Sequence, residues 1–189
     1  MTAPWGSTIP VVRPTAEDVA RWRLPAAQLT ALLSWGVPQI EDLVETTGFD
    51  GHRLAGRPPE PPFVVVPDTG EVLQNGCLIN SSVELWLRSV GLVADWLATS
   101  EAYEHYDNHG QACAFCAEAH CGDKACFYYD EVHWHDDDAD PGAARTVEDR
   151  VLDELAALRD RIAVLDPPAV GDGNHANHFW PATLDRWLF

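Results

Sequence analysis

Apolar positions recur along the chain at two spacings, and the longest-running pattern is helical. Val83, Trp86, Val90, Val93 and Leu97 fall within about an 80° arc at 100° per residue, the stripe of a helix with one buried face. Glu84 and Arg88 lie on the opposite face one turn apart. Asn80-Ser81-Ser82 precedes the stripe and supplies side-chain oxygens to cap it. A second stripe, Val147, Val151, Leu155, Leu158 and Ile162, predicts a helix over 146–163, closed by Asp166-Pro167-Pro168.

Earlier in the chain the elements are shorter. Thr15 with Asp18 three residues on reads as the start of a brief helix. Pro25 is placed to open another, running through Leu29, Leu32 and Leu33 to Trp35 and stopping at Gly36-Val37-Pro38. Ile40, Leu43 and Val44 predict a further helical turn, and residues 56–62 are too rich in proline for regular structure. Phe63 to Val66, Glu71 to Leu73 and Cys77 to Ile79 read as strands, the first two separated by turn chemistry at Pro67-Asp68-Thr69-Gly70. So few short strands exclude an all-β fold. They predict an α+β fold: a small, mainly antiparallel sheet packed against helices. The aromatic tail, Phe179-Trp180-Pro181 and Leu184-Asp185-Arg186-Trp187-Leu188-Phe189, is expected to dock on the core.

With 189 residues and 46% hydrophobic side chains, the chain can bury the core of one ordinary domain. No apolar run is long enough for a membrane helix. The first residues lack the basic and apolar regions of a secretory signal, so a cytoplasmic protein is expected.

Charge changes the picture more than composition does. Thirty acids against twelve bases give −18, and residues 101–140 alone carry −10, with Lys124 as their only base. Such a surface repels phosphate, which argues against nucleic acid and anionic membranes and in favour of a partner with a basic surface.

The same segment holds four of the five cysteines, Cys113-x2-Cys116-x4-Cys121-x4-Cys126, among His105, His109, His120, His133 and His135. Clustered thiols in a reducing compartment suit metal, and a C-x2-C knuckle spans one corner of a zinc tetrahedron. Cys113, Cys116, Cys121 and Cys126 are therefore candidate ligands of one structural zinc ion, with a nearby His able to replace one of them. The spacing departs from the usual pattern: the second pair is four residues apart and follows the first too closely. Asp136, Asp137, Asp138 and Asp140 form an acidic run that lacks the glycine and distal glutamate of a calcium loop. They are candidate partner-binding residues.

Enzymatic readings find little support. Cys116-Ala117-Glu118 has the form of half a base-deaminase motif, but the required Pro-Cys-x-x-Cys does not follow. A hydrolase would need a pocket gathering His105, Glu118 or His120, and no phosphate-binding glycine loop or nucleophile elbow occurs.

Three segments in order are similar to a known family. Leu29 to Pro38 resembles the opening helix and Gly-[Leu/Val]-Pro turn of the SUKH immunity proteins, in particular their fourth subfamily. Asp68-Thr69-Gly70-Glu71-Val72 followed by Ile79 to Leu87 resembles that subfamily's hairpin and Asn-Ser-Ser helix start. Leu165-Asp166-Pro167-Pro168-Ala169 with Phe179-Trp180-Pro181 resembles its closing segments. The resemblance implies a single SUKH-like domain over 1–189, with the Cys/His-rich acidic insertion at about 101–140 having no counterpart in the family pattern. It implies a non-enzymatic protein that neutralises a cognate bacterial toxin by binding it, and it carries no catalytic residue across. Asn80, Ser81, Ser82 and Trp86 match the family motif and are read as a cap and a core aromatic. The alternative reading is a zinc-stapled protein-binding or regulatory module, with a zinc-dependent hydrolase or deaminase less favoured.

Overall fold

The capping box expected at Thr15 closes as its chemistry dictates. In the computed structural model, the Thr15 hydroxyl accepts from the Asp18 N–H at 3.2 Å, and the Asp18 carboxylate accepts from the Thr15 N–H at 2.7 Å. The Thr15 backbone bond, then its hydroxyl bond, holds the Asp18 carboxyl below its ordinary value. The structure describes residues 3–6, 9–41, 43–56, 59, 61–103, 147–171 and 178–185. The chain divides into two compact units, Met1–Ala98 with Ala157–Phe189, and Thr99–Ala156.

In the first unit, β1 (Val11–Val12) leads to α1 (Ala16–Val19) and a 3-10 turn (Ala20–Trp22), then to α2 (Ala26–Trp35) and β2 (Val37–Pro38). Pro25 stands at the N-cap of α2, one residue before the position its fixed φ suggests, and its carbonyl accepts from the Leu29 N–H at 3.0 Å. Helix α2 stops at Gly36 as expected. The reason is close approach as well as a φ of +78°: a Cβ there would lie 2.8 Å from Arg13 Cγ and 3.0 Å from the Val12 carbonyl oxygen. That contact lets β2 turn back antiparallel to β1, with Val12 opposite Val37.

Residues 40–44 differ from expectation. Ile40, Leu43 and Val44 are buried, yet they form a tight turn closed by a bridge in which Ile40 and Val44 exchange backbone hydrogen bonds of 2.8 Å. Helical spacing over five residues cannot be told from a turn that folds its apolar side chains inward.

The main sheet is a four-stranded antiparallel meander, β3 (Arg53–Ala55), β4 (Phe63–Val65), β5 (Val72–Gln74) and β6 (Cys77–Asn80), paired in that order. Strand β3 and the β1–β2 ribbon add to the three strands read from the sequence. Asn75 and Gly76, both at positive φ, form the two-residue turn between Gln74 and Cys77, the arrangement that matches strand twist in a hairpin.

Helix α3 (Val83–Thr99) buries Val83, Trp86, Val90 and Val93 completely, as its stripe requires, while Leu97 is half-buried. Glu84 and Arg88 pair at 2.9 Å on the other face. Helix α4 (Val147–Leu165) buries Leu158 and Ile162 in the first unit and Val151 and Leu155 in the second. Helix α5 (Pro167–Val170) follows at once, its N-cap being Asp166, and α6 (Phe179–Asp185) ends the described chain.

The core is built on tryptophan. Trp22, Trp35, Trp86 and Trp180 are each essentially inaccessible. Phe63 of β4 meets Trp86 at 5.5 Å with the rings tilted, and meets Phe179 edge-on at 5.3 Å, and Phe179 meets Trp180 edge-on at 5.1 Å. This chain of rings ties sheet, α3 and α6 together, and the expectation that the tail docks on the core holds for Phe179, Trp180 and the buried Leu184, while residues 186–189 lie outside the described residues. The α+β architecture is as the sequence indicates. In the second unit, Ser100 accepts from the Tyr103 N–H at 2.9 Å and donates to the Glu154 carboxylate.

Candidate functional site

The candidate zinc ligands Cys113, Cys116, Cys121 and Cys126 lie outside the described residues, as do Asp136, Asp137, Asp138 and Asp140, and His105, Glu118 and His120. Among the described residues, no three His, Cys, Asp or Glu side chains gather as metal ligands would. Cys77 is a free, exposed thiol at the start of β6.

The structure instead brings together the residues of two separated motif segments, around one buried carboxylate. Asp166, at the junction of α4 and α5, is 2% exposed. Its Oδ2 accepts from Asn80 Nδ2 at 2.9 Å and from the Ser81 N–H at 2.8 Å, and its Oδ1 accepts from the Ser81 hydroxyl at 2.7 Å. Asn80, at the end of β6, is wholly buried. Its second Nδ2 proton goes to Ser89 Oγ of α3 at 3.2 Å, and its Oδ1 accepts from the Trp180 indole at 2.9 Å.

The amide orientation is fixed by its neighbours. An indole N–H only donates and an ionised carboxylate only accepts, so Oδ1 must face Trp180 and Nδ2 must face Asp166. Every hydrogen-bonding position of the Asn80 amide but one lone pair is used. A charge taken out of water is tolerable only with such compensation, and here three donors supply it.

Asn80 and Ser81 are therefore not helix caps. Ser82 alone caps α3 from within the motif, its Oγ accepting from the Leu85 N–H at 3.1 Å. The Val83 N–H is met from another element, by Gln28 Oε1 at 3.0 Å, while the same side-chain amide donates to the Thr69 carbonyl at 3.0 Å. Gln28 thus ties α2 to the Pro67–Gly70 turn and the start of α3. Gln28 and Asp166 were invisible as partners because they lie 55 and about 85 residues from the groups they satisfy. The only available signal was an acid placed directly before Pro167-Pro168, where a second helix begins.

Chemically, this cluster is a fastening. Its carboxylate, amide, hydroxyls and indole are directed at one another, which joins β6, α3, α5 and α6, and Trp86 is a buried core aromatic. It satisfies buried polar groups reciprocally, the condition under which a polar network fixes one arrangement of its elements.

No curated protein and no solved structure matches the chain. The family model described as SUKH-4 immunity protein matches residues 3–186, a span that contains the strand end, the α4–α5 junction and the closing Trp180 that meet in this network. The chain belongs to the SUKH-4 immunity protein family.

Proposed function

We propose that the protein is a non-enzymatic immunity protein that acts in the bacterial cytoplasm by binding a cognate toxin and occluding it. The observation that carries this reading is the family match across residues 3–186. Charge supports the choice of partner. At −18 overall, with −10 concentrated in residues 101–140, the protein suits a toxin whose basic groups serve its own substrate. Opposite charge speeds encounter, while a few buried apolar or arginine anchors supply most of the affinity. Asp136, Asp137, Asp138 and Asp140 are the proposed contacts on the acidic side. Cys113, Cys116, Cys121 and Cys126 would hold one zinc ion that fastens the segment carrying them.

The test uses protein of determined zinc content and the toxin that a pull-down with it from the native host identifies by mass spectrometry. Coexpression should restore growth, and the purified pair should form a one-to-one complex. Replacing the four aspartates by asparagine should slow association on the order of tenfold in low salt, with the difference closing as salt rises. Growth that is not restored, together with no complex, would overturn the reading. Unchanged association would remove only the acidic contacts.

A further inference from the structure

Among the described residues only two large apolar side chains are exposed, Leu152 at 43% and Val164 at 86%. Val164 does not stand alone. It borders an open groove of about 640 Å³ in the first unit, formed by Pro4, by Arg88 and Leu92 of α3, and by Asp160, Arg161 and Leu165 of α4. An exposed valine on a flat charged surface calls for no explanation, whereas one at the lip of an apolar groove marks a contact surface.

The chemistry of that surface is self-complementary. Asp160 and Val164 are four residues apart on α4, so they form one strip, acid then apolar. Arg161 and Leu165 form the adjacent strip, base then apolar. A two-fold rotation that lays one strip against the other sets each acid opposite a base. It also sets each protruding valine against the hollow beside Leu92 and Leu165. This is the pattern an isologous contact requires, the same patch serving as both halves. Arg88 is already engaged, bonded to Glu84 and lying 5.2 Å over the Trp35 ring, while Arg161 and Asp160 are exposed and, among the described residues, Asp160 makes only a long, solvent-exposed 3.9 Å contact with Arg159 of its own helix.

We propose that two copies of this chain associate through this groove, Val164 of each entering the hollow of the other and Asp160 of each pairing with the other's Arg161. A contact centred on one groove is small, so the dimer is weak and forms at high concentration. Each copy carries −18, and their long-range repulsion must be screened for the contact to form.

The experiment is sedimentation velocity on the full chain at about 0.3 M salt, where screening acts within a few ångströms, over about 10 μM to 1 mM. The wild-type mass should climb from 20.9 kDa toward twice that value. Val164→Asp should remain a monomer throughout. Asp160→Arg and Arg161→Asp should each remain monomeric alone, since each sets like charges opposite one another. Mixed together they should recover the dimer, because both crossed pairs are then Arg with Asp. That recovery cannot arise from a folding defect in either variant. A wild-type chain that stays monomeric to the highest concentration overturns the proposal, as do single variants that still dimerise or a mixture that does not recover. A monomeric wild type whose Val164→Asp form loses toxin binding would overturn it too, and would give the groove to the toxin.

Discussion

Removing the Asp166 carboxylate tests whether the buried network fastens the fold or serves a partner. In Asp166→Ala, three donors lose their acceptor: Asn80 Nδ2, the Ser81 N–H and the Ser81 hydroxyl. Hydrogen bonds to a charged group contribute about 1.5–3 kcal/mol each, and a stranded buried donor costs about 1–3 kcal/mol. Ser81 is half-buried and can turn to water, whereas Asn80 is wholly buried and its Nδ2 keeps only the longer bond to Ser89. The space left is about that of one water, which would recover part of the loss. The expected cost is then about 3–4 kcal/mol, a large share of the roughly 5–15 kcal/mol that holds a domain folded.

The paired variant sharpens the test. Asp166→Asn keeps the shape, and its carbonyl oxygen can take the Oδ2 position and retain both N–H donors. The Ser81 hydroxyl then rotates to accept from the new amide. Loss of the charge alone should cost about 1 kcal/mol. Urea unfolding followed by tryptophan fluorescence reads both, with the Ala midpoint falling by about 1.5–2 M and the Asn midpoint by about 0.5 M at an m-value near 2 kcal/mol/M. An Ala variant within about 1 kcal/mol of wild type would refute the structural assignment. So would an Asn variant that folds as well as wild type yet no longer protects against toxin, because that outcome makes the carboxylate a contact.

Gly70→Ala should cost about 2–3 kcal/mol, since its Cβ at φ +75° meets the Gln28 amide that joins Thr69 to Val83. Gly76→Ala, at φ +78° with nothing within 4 Å, should pay only the backbone cost of about 1 kcal/mol, and equal thermal shifts for the two would refute the role of Gln28. Thr15→Ala should raise the Asp18 pKa back toward its ordinary 3.8. Because the folded value is depressed, the stabilisation is complete above the unfolded value and disappears as pH falls through the folded one. The stability gap between wild type and Thr15→Ala should therefore narrow as pH falls through the folded Asp18 value, leaving the part due to the lost cap bond to the Asp18 N–H; an Asp18 titration by NMR that is the same in both proteins would refute it.

The two long helices were legible because their stripes run for four turns or more, long enough for the 3.6-residue period to exclude a strand. The capping box and the Gly36 stop were legible because both are local. Strand β3 has three residues and no readable alternation, and β2 contains Pro38, which argues against a strand until its partner β1 is known. The Asn75-Gly76 hairpin turn is a clear local signal between Leu73 and Leu78, and it specifies the β5–β6 pairing. Asn80 and Ser81 mislead for a different reason. The same oxygens that cap a helix can satisfy a distant carboxylate, and one sequence does not say which partner wins. The candidate zinc ligands and the acidic run lie outside the described residues.

The placement of the family-like residues bears on how a protein of this kind acquires a partner. Asn80, Ser81, Asp166 and Trp180, by which the chain resembles its family, are turned on one another inside the first unit. Side chains whose hydrogen bonds are directed at one another have little to give a toxin, so those residues specify the scaffold and leave recognition to other residues. The two proposed contacts differ in chemistry. Residues 101–140, which carry −10, are proposed to draw in a basic partner over long range, and the groove beside Val164 is proposed to take a second copy of the chain through a short-range apolar contact. Charge sets the association rate and desolvated apolar anchors set the dissociation rate. Substitutions in the acidic run should therefore alter toxin association and its salt dependence. Substitutions at Asp166 or Asn80 should lower stability and binding together, through loss of folded protein.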